Sequence, residues 1–231
     1  MDLKLDDNIN KKKSLMSLRG VAFDLDETLL SRTRAFSSLV SEWARGCLDG
    51  EQMKMILDHD QNGYGNRMEF FLWLSDFLNL DLAAEETMLR FREDLPKYIV
   101  REKASVDLLK LLSEQGKITG ILTNGGSELQ RAKLNKSGIG AVVKNERIVI
   151  SGDYGWKKPE KEIFNLLSEK MGLKPQEVLF IGDHYENDAL GAYRAGLASV
   201  WLKKGREIPA GLPEEILVID SLSELVDLYK V

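Results

Sequence analysis

Val21-Ala22-Phe23-Asp24-Leu25-Asp26-Glu27-Thr28-Leu29 is apolar at its start and acidic in its middle. The apolar run, bounded by Gly20, ends abruptly in two carboxylates spaced i and i+2, and a threonine follows. Strand side chains alternate faces, so Asp24 and Asp26 are expected to leave the strand on the same side. Burying two like charges so close together is costly unless a cation sits between them or one is protonated. A strand that delivers such a pair at its C-terminal end calls for a metal ion, a shared proton, or both. A solvent-exposed acidic turn is the plain alternative.

Outward from this stretch, apolar β-rich runs alternate with helical patterns from about residue 98 onward. Ser105 can cap a helix over 106–115, with Gly116 just past its end. A strand over 117–122 follows, then a helix capped by Ser127 that stops near Gly138. Residues 140–143 and 147–150 read as short strands. Pro159 suits the first turn of a helix reaching Met171. Strand 178–182, helix 186–195 and strands 198–202 and 216–219 complete the series. Strands separated by such helices imply a Rossmann-like α/β architecture, a parallel sheet covered on both faces. Ligands of these sheets bind beyond the carboxyl ends of the strands, where strand order switches. Asp24, Thr123 and Asp183 all fall at expected strand C-termini.

Residues 32–97 break the alternation with helical patterns at 36–48, 51–57, 68–78 and 85–92 and no strand between them. The chain thus reads as a tail (1–17), an α/β core (18–31 and 98–231) and an inserted helical domain (32–97), with hinges near 30–33 and 94–99.

Four segments in order resemble the signatures of the haloacid dehalogenase superfamily of phosphatases and related enzymes, over about residues 18–220. Asp24-Leu25-Asp26-Glu27-Thr28 resembles its first motif, Asp-x-Asp-x-Thr. Thr123-Asn124 resembles the second, Lys158 before Pro159 the third, and Gly182-Asp183 through Asp188 the fourth. The resemblance implies that Asp24 is a nucleophile forming an aspartyl-phosphate and that the helical insert is a cap over the site. Asp26 would then be the general acid and afterwards the base that activates water. An unperturbed aspartate, with a pKa of about 3.9, is protonated only about once in a thousand molecules at pH 7, so its surroundings must raise that value. The implied cofactor is Mg2+, a hard ion taking oxygen ligands, held by the Asp24 carboxylate, the Asp26 backbone carbonyl and Asp183. Asp188 is expected to bind the ion, to orient Lys158, or to be a simple helix N-terminal acid. Thr123 and the Asn124 amide can hydrogen-bond a phosphate, and Lys158, preferred over Lys157 because it abuts the proline, supplies positive charge.

In the helical insert, Asp58 to Glu69 fits the spacing of an EF-hand calcium loop, but it is a single copy with Gly65 at the eighth position. The favoured reading is a cap loop in which Tyr64 and Arg67 meet the substrate, similar to loops of haloacid dehalogenase-like nucleotidases. His59 and His184 are left outside the site, and Phe70, Phe71, Trp73, Leu74 and Phe77 read as cap core.

The 231 residues suffice for one domain and a smaller insert. A net charge of -5 gives no reason to expect a nucleic-acid partner. A single cysteine, Cys47, excludes an internal disulfide. No apolar run approaches the roughly 18 residues of a membrane span, and Met1–Ser17, with Lys11–Lys13, lacks the apolar core of a signal peptide. The expectation is a cytoplasmic magnesium-dependent phosphatase, monomer or weak homodimer, acting on a small phosphomonoester such as a nucleoside monophosphate or sugar phosphate. A haloacid dehalogenase, a phosphomutase on the same scaffold and a non-catalytic binding protein are the alternatives.

Overall fold

The computed structural model describes residues 14–230, and residues 1–13 of the expected tail lie outside them. They divide into two compact units, one running up to Leu30 and resuming at Arg101, the other Ser31–Val100. No helix among the described residues is long and apolar enough to cross a membrane.

The first unit is built on six parallel strands: β1 (Gly20–Phe23), β2 (Ile118–Thr123), β3 (Ile148–Ile150), β4 (Val178–Gly182), β5 (Ala198–Leu202) and β6 (Leu217–Ile219). Their order is β3-β2-β1-β4-β5-β6. Every residue of β1 and β4 is buried. That explains why these strands read as continuous apolar runs, since helices cover both faces of a parallel sheet. Strand order reverses at β1, which pairs with β2 on one side and β4 on the other. In sheets of this kind ligands bind beyond the carboxyl ends of the strands at such a switch point.

The second unit holds four helices: α1 (Arg32–Trp43), α2 (Gly50–Asp60), α3 (Arg67–Leu78) and α4 (Ala84–Asp94). The Ser31 side chain caps α1 by accepting from the Arg34 amide. Asp49 and Gln52 form a reciprocal capping box on α2, and Asn66 caps α3. Phe36, Phe70, Phe71, Leu74 and Phe91 are buried together, with Phe36 edge-on to Phe91 at 5.8 Å. Trp73 and Phe77, expected in this core, are only partly covered and stack on each other at 4.9 Å, with His59 on Trp73 at 4.3 Å. The stretch Asp58–Glu69 is not built as a calcium loop. Asp58 and Asp60 lie in the last turn of α2, Asp58 pairs with Lys54, and buried Asp60 accepts from both Arg32 and Arg67.

After β1 the first unit carries the helices α5 (Lys103–Glu114), α6 (Ser127–Ser137), α7 (Lys161–Lys170), α8 (Gly191–Ala195) and α9 (Ser223–Tyr229). Ser105 does not cap α5, which begins two residues earlier and buries the serine. Residues 140–143 are not a strand. Gly138, at φ 76°, ends α6, and Ile139–Ala141 forms a tight helical turn that buries Ile139 and Val143. A short apolar run carries the same signal for either role. Pro159 precedes α7 by two residues, and the expected helix over 186–195 opens with the wide turn Tyr185–Leu190. Residues 14–16, expected within the tail, are helical, and Lys117 donates to the carbonyls of Met16 at 2.5 Å and Leu18 at 2.8 Å.

Candidate active site

The carboxyl ends of β1, β2 and β4 carry the buried polar residues Asp24, Thr123 and Asp183. Asp24 follows β1 directly, and its amide extends the ladder by donating to Ile181 O at 2.9 Å. Lys158 Nζ lies 2.6 Å from Asp24 Oδ1 and 2.6 Å from Asp188 Oδ1, with the lysine side chain wholly buried. Lys157 beside it is exposed. Asn124 places the lysine by a two-point clamp. Its Oδ1 accepts from the Lys158 amide at 2.9 Å, and its Nδ2 donates to the Lys158 carbonyl at 3.0 Å.

Asp188 folds back against the end of β4, where its Oδ2 accepts from the His184 amide at 2.9 Å. Gly182 makes that possible: a Cβ there would stand 2.4 Å from the Asp188 side chain. Asp183 is fixed through its carbonyl, which accepts from Trp201 Nε1 at 2.9 Å and from Arg206 at 2.5 Å. Arg206 also approaches the Asp183 carboxylate at 3.2 Å. Asp24, Asp183 and Asp188 each offer a carboxylate oxygen within 4.8 Å of the others, the one grouping of three such residues among those described.

Burial pushes the Asp24 carboxyl well above its ordinary value, with Asp188 and Asp183 adding to the effect and Lys158 opposing it. Burial likewise pushes Asp183 up to about 6, Asp188 adding and Arg206 opposing. His184 is lowered, chiefly by burial. Asp24 and Asp188 share one buried lysine and Asp183 has only the approach of Arg206, so further positive charge would be welcome. An all-oxygen donor set of this kind suits a hard divalent cation.

The Asp24 and Asp26 carboxylates pair with different lysines. β1 ends at Phe23, before either carboxylate, and each acid has its own lysine. Asp26 is held by Lys133 Nζ, at 2.9 and 2.7 Å from its two oxygens, and by Gln130 Nε2 at 3.0 Å. Thr123 is buried at the end of β2, its hydroxyl 2.5 Å from the same Gln130 nitrogen. Sequence reasoning missed Gln130 and Lys133. Gln130, Lys133 and Ser137 recur at i, i+3 and i+7 on the side of α6 that the fold buries, a polar stripe that sequence alone reads as a solvated face.

Tyr64 and Arg67 lie in the helical unit. Tyr64 is about half exposed. Arg67 donates to Asp60 at 2.8 Å, lies over Phe70 and Phe71 at 4.7 Å each, and keeps one buried nitrogen, Nη2, without a hydrogen-bond partner.

Residues 18–196 match the family described as haloacid dehalogenase-like hydrolase. Pyrimidine 5'-nucleotidase YjjG of Escherichia coli (strain K12) is 39% identical over 126 residues, which is 54% of this chain and 54% of that protein, so the match spans about half of its length. Phosphoglycolate phosphatase of Salmonella typhi is 30% identical over 92% of both chains. Among solved structures, the HAD-hydrolase YfnB from Bacillus subtilis bound to magnesium superposes with a TM-score of 0.71 at 25% identity, covering 93% of this chain and 99% of that one.

Proposed function

Because the chain belongs to the haloacid dehalogenase-like hydrolases, we propose that it is a magnesium-dependent phosphatase acting on a small phosphomonoester through an aspartyl-phosphate. One observation carries the proposal: a buried aspartate at the switch point of the sheet, bound to a buried lysine and clustered with two further carboxylates. In this reading Asp24 attacks phosphorus, since a carboxylate nucleophile splits one difficult displacement into two easier ones. Lys158 neutralises charge on the transferring group, and Thr123 with the Asn124 amide holds its oxygens. Asp26 gives a proton to the leaving oxygen and takes one from the water that ends the cycle. Magnesium would be held by Asp24, Asp183, Asp188 and the Asp26 carbonyl, and would supply charge neutralisation for the transferring group. The solved relative bound to magnesium supports that choice of ion.

Nucleoside monophosphates and sugar phosphates are the proposed substrates, with Tyr64 and the partnerless nitrogen of Arg67 as recognition groups in the cap. A dehalogenase would use one aspartate without metal, and the paired Asp183 and Asp188 speak against it. A panel of phosphomonoesters, assayed for inorganic phosphate with magnesium and with EDTA, tests the proposal. Release that requires magnesium is expected. Release indifferent to EDTA, or none from any ester, would overturn it.

A further inference from the structure

Gln130 and Lys133 stand one helical turn apart on α6, at 1% and 2% exposure. A lysine is almost never buried unless it is paired, because taking its charge out of water costs several kcal/mol. Leucine at this position would serve a structural helix at no such cost. The Lys133 ammonium reaches both oxygens of Asp26, at 2.9 and 2.7 Å. The Gln130 amide nitrogen lies within hydrogen-bond distance of Asp26 Oδ2 at 3.0 Å, of Thr123 Oγ1 at 2.5 Å and of the Asn124 carbonyl at 3.2 Å. Asp26 itself keeps 21% of its side chain exposed, so it faces outward from a buried anchor.

Proton transfer demands this kind of restraint. An acid or base must sit about 2.6–3.2 Å from the atom it serves, and a carboxylate on a loop samples several rotamers unless its neighbours choose one. Two donors on one rigid helix, contacting both oxygens, leave Asp26 little freedom about either side-chain torsion. Gln130 also ties that carboxylate to the hydroxyl of Thr123, so the proton-transferring group and the phosphate-holding group share one amide.

We infer that Lys133 and Gln130 are positioning residues that fix the Asp26 carboxylate for proton transfer, an inference that rests on the phosphatase reading above. Neither touches the reacting atoms; both act through Asp26. Loss of such a supporting contact costs about 10- to 100-fold in activity at comparable sites.

The test is a double-mutant cycle on the full chain with magnesium, measuring kcat and KM for p-nitrophenyl phosphate and for an alkyl phosphate. Lys133→Met is expected to lower kcat by about 10- to 100-fold with KM changed less than about threefold. In an Asp26→Asn background the same substitution is expected to cost less than about twofold, because the group it positions is gone. Equal losses in the two backgrounds, or no loss with Asp26 intact, would overturn this inference alone. An Asp26→Asn variant as active as wild type would overturn the phosphatase reading and this inference with it. Gln130→Leu leaves the ion pair in place and decides the matter if Lys133→Met fails to fold: its loss in kcat must shrink in the Asp26→Asn background, whereas a change in KM through Thr123 persists there.

Discussion

Replacing Lys158 with methionine removes the ammonium that lies between two buried carboxylates while keeping a side chain of similar length. The Lys158 ammonium is fully buried and lies 2.6 Å from both Asp24 and Asp188, whose side chains are 5% and 0% exposed. Deleting one partner of a buried pair leaves an uncompensated charge and costs about 3–5 kcal/mol. Here two carboxylates lose their partner at once, so the upper part of that range is expected. Part of the cost is escaped by protonation, since the Asp24 carboxyl is already pushed upward by burial. A buried acid with a raised pKa stabilises the fold while protonated and loses that contribution as pH rises. The deficit of Lys158→Met should therefore be about 4–5 kcal/mol at pH 8 in EDTA and shrink toward pH 5. Urea unfolding of both proteins across that range measures it. Magnesium should recover part of the loss, because the vacated cluster is more negative and only the folded state offers it. A deficit below about 1 kcal/mol at pH 8, or one that grows on acidification, would refute the reasoning.

The pKa of Asp183, moved from 3.8 to about 6, corresponds to about 3 kcal/mol at 1.36 kcal/mol per pH unit. Between those values the folded state holds more protons than the unfolded one. In EDTA this group's contribution should therefore fall as pH rises from about 4 to 6 and stay lost above it. Asp183→Asn should flatten the dependence of thermal stability on pH over that window; an unchanged slope contradicts the assignment. Gly182→Ala should destabilise by about 1–3 kcal/mol and weaken magnesium binding in calorimetry, since its methyl group would occupy the Asp188 side chain. Magnesium affinity at the wild-type level would show that Asp188 lies outside the ion's site. Tyr64→Ala should raise KM for the natural ester by about tenfold while changing p-nitrophenyl phosphate hydrolysis less, because that substrate makes few contacts with a cap. Equal changes on both substrates would remove Tyr64 from recognition.

Much of the catalytic unit was legible because its central strands are buried on both faces. Continuous apolar runs ending in Asp24, Thr123 and Asp183 locate three strand ends by composition alone, and the observed strand order brings all three to one edge. Short segments were less legible. Ile139 to Val143 is apolar enough for a strand, yet glycines at 138 and 140 let it close as a tight turn that buries the same side chains. The Asp58–Glu69 spacing, set aside as a calcium loop in favour of a cap loop, still did not reveal that Asp60 faces two arginines, Arg67 seven residues on and Arg32 twenty-eight residues back. Gln130 and Lys133 were hidden for another reason. Their partner lies more than a hundred residues away, and a polar stripe on a helix reads as a solvated face until the fold buries it.

The central claim is that Asp24 carries the phosphoryl group. The most direct measurement is acid quenching of the enzyme during turnover with magnesium, followed by peptide mass spectrometry. A phosphoryl group on the peptide containing Asp24, absent from Asp24→Asn and absent when EDTA replaces magnesium, is the predicted result. Sustained turnover with no modified peptide, joined to undiminished phosphate release by Asp24→Asn, would contradict the account.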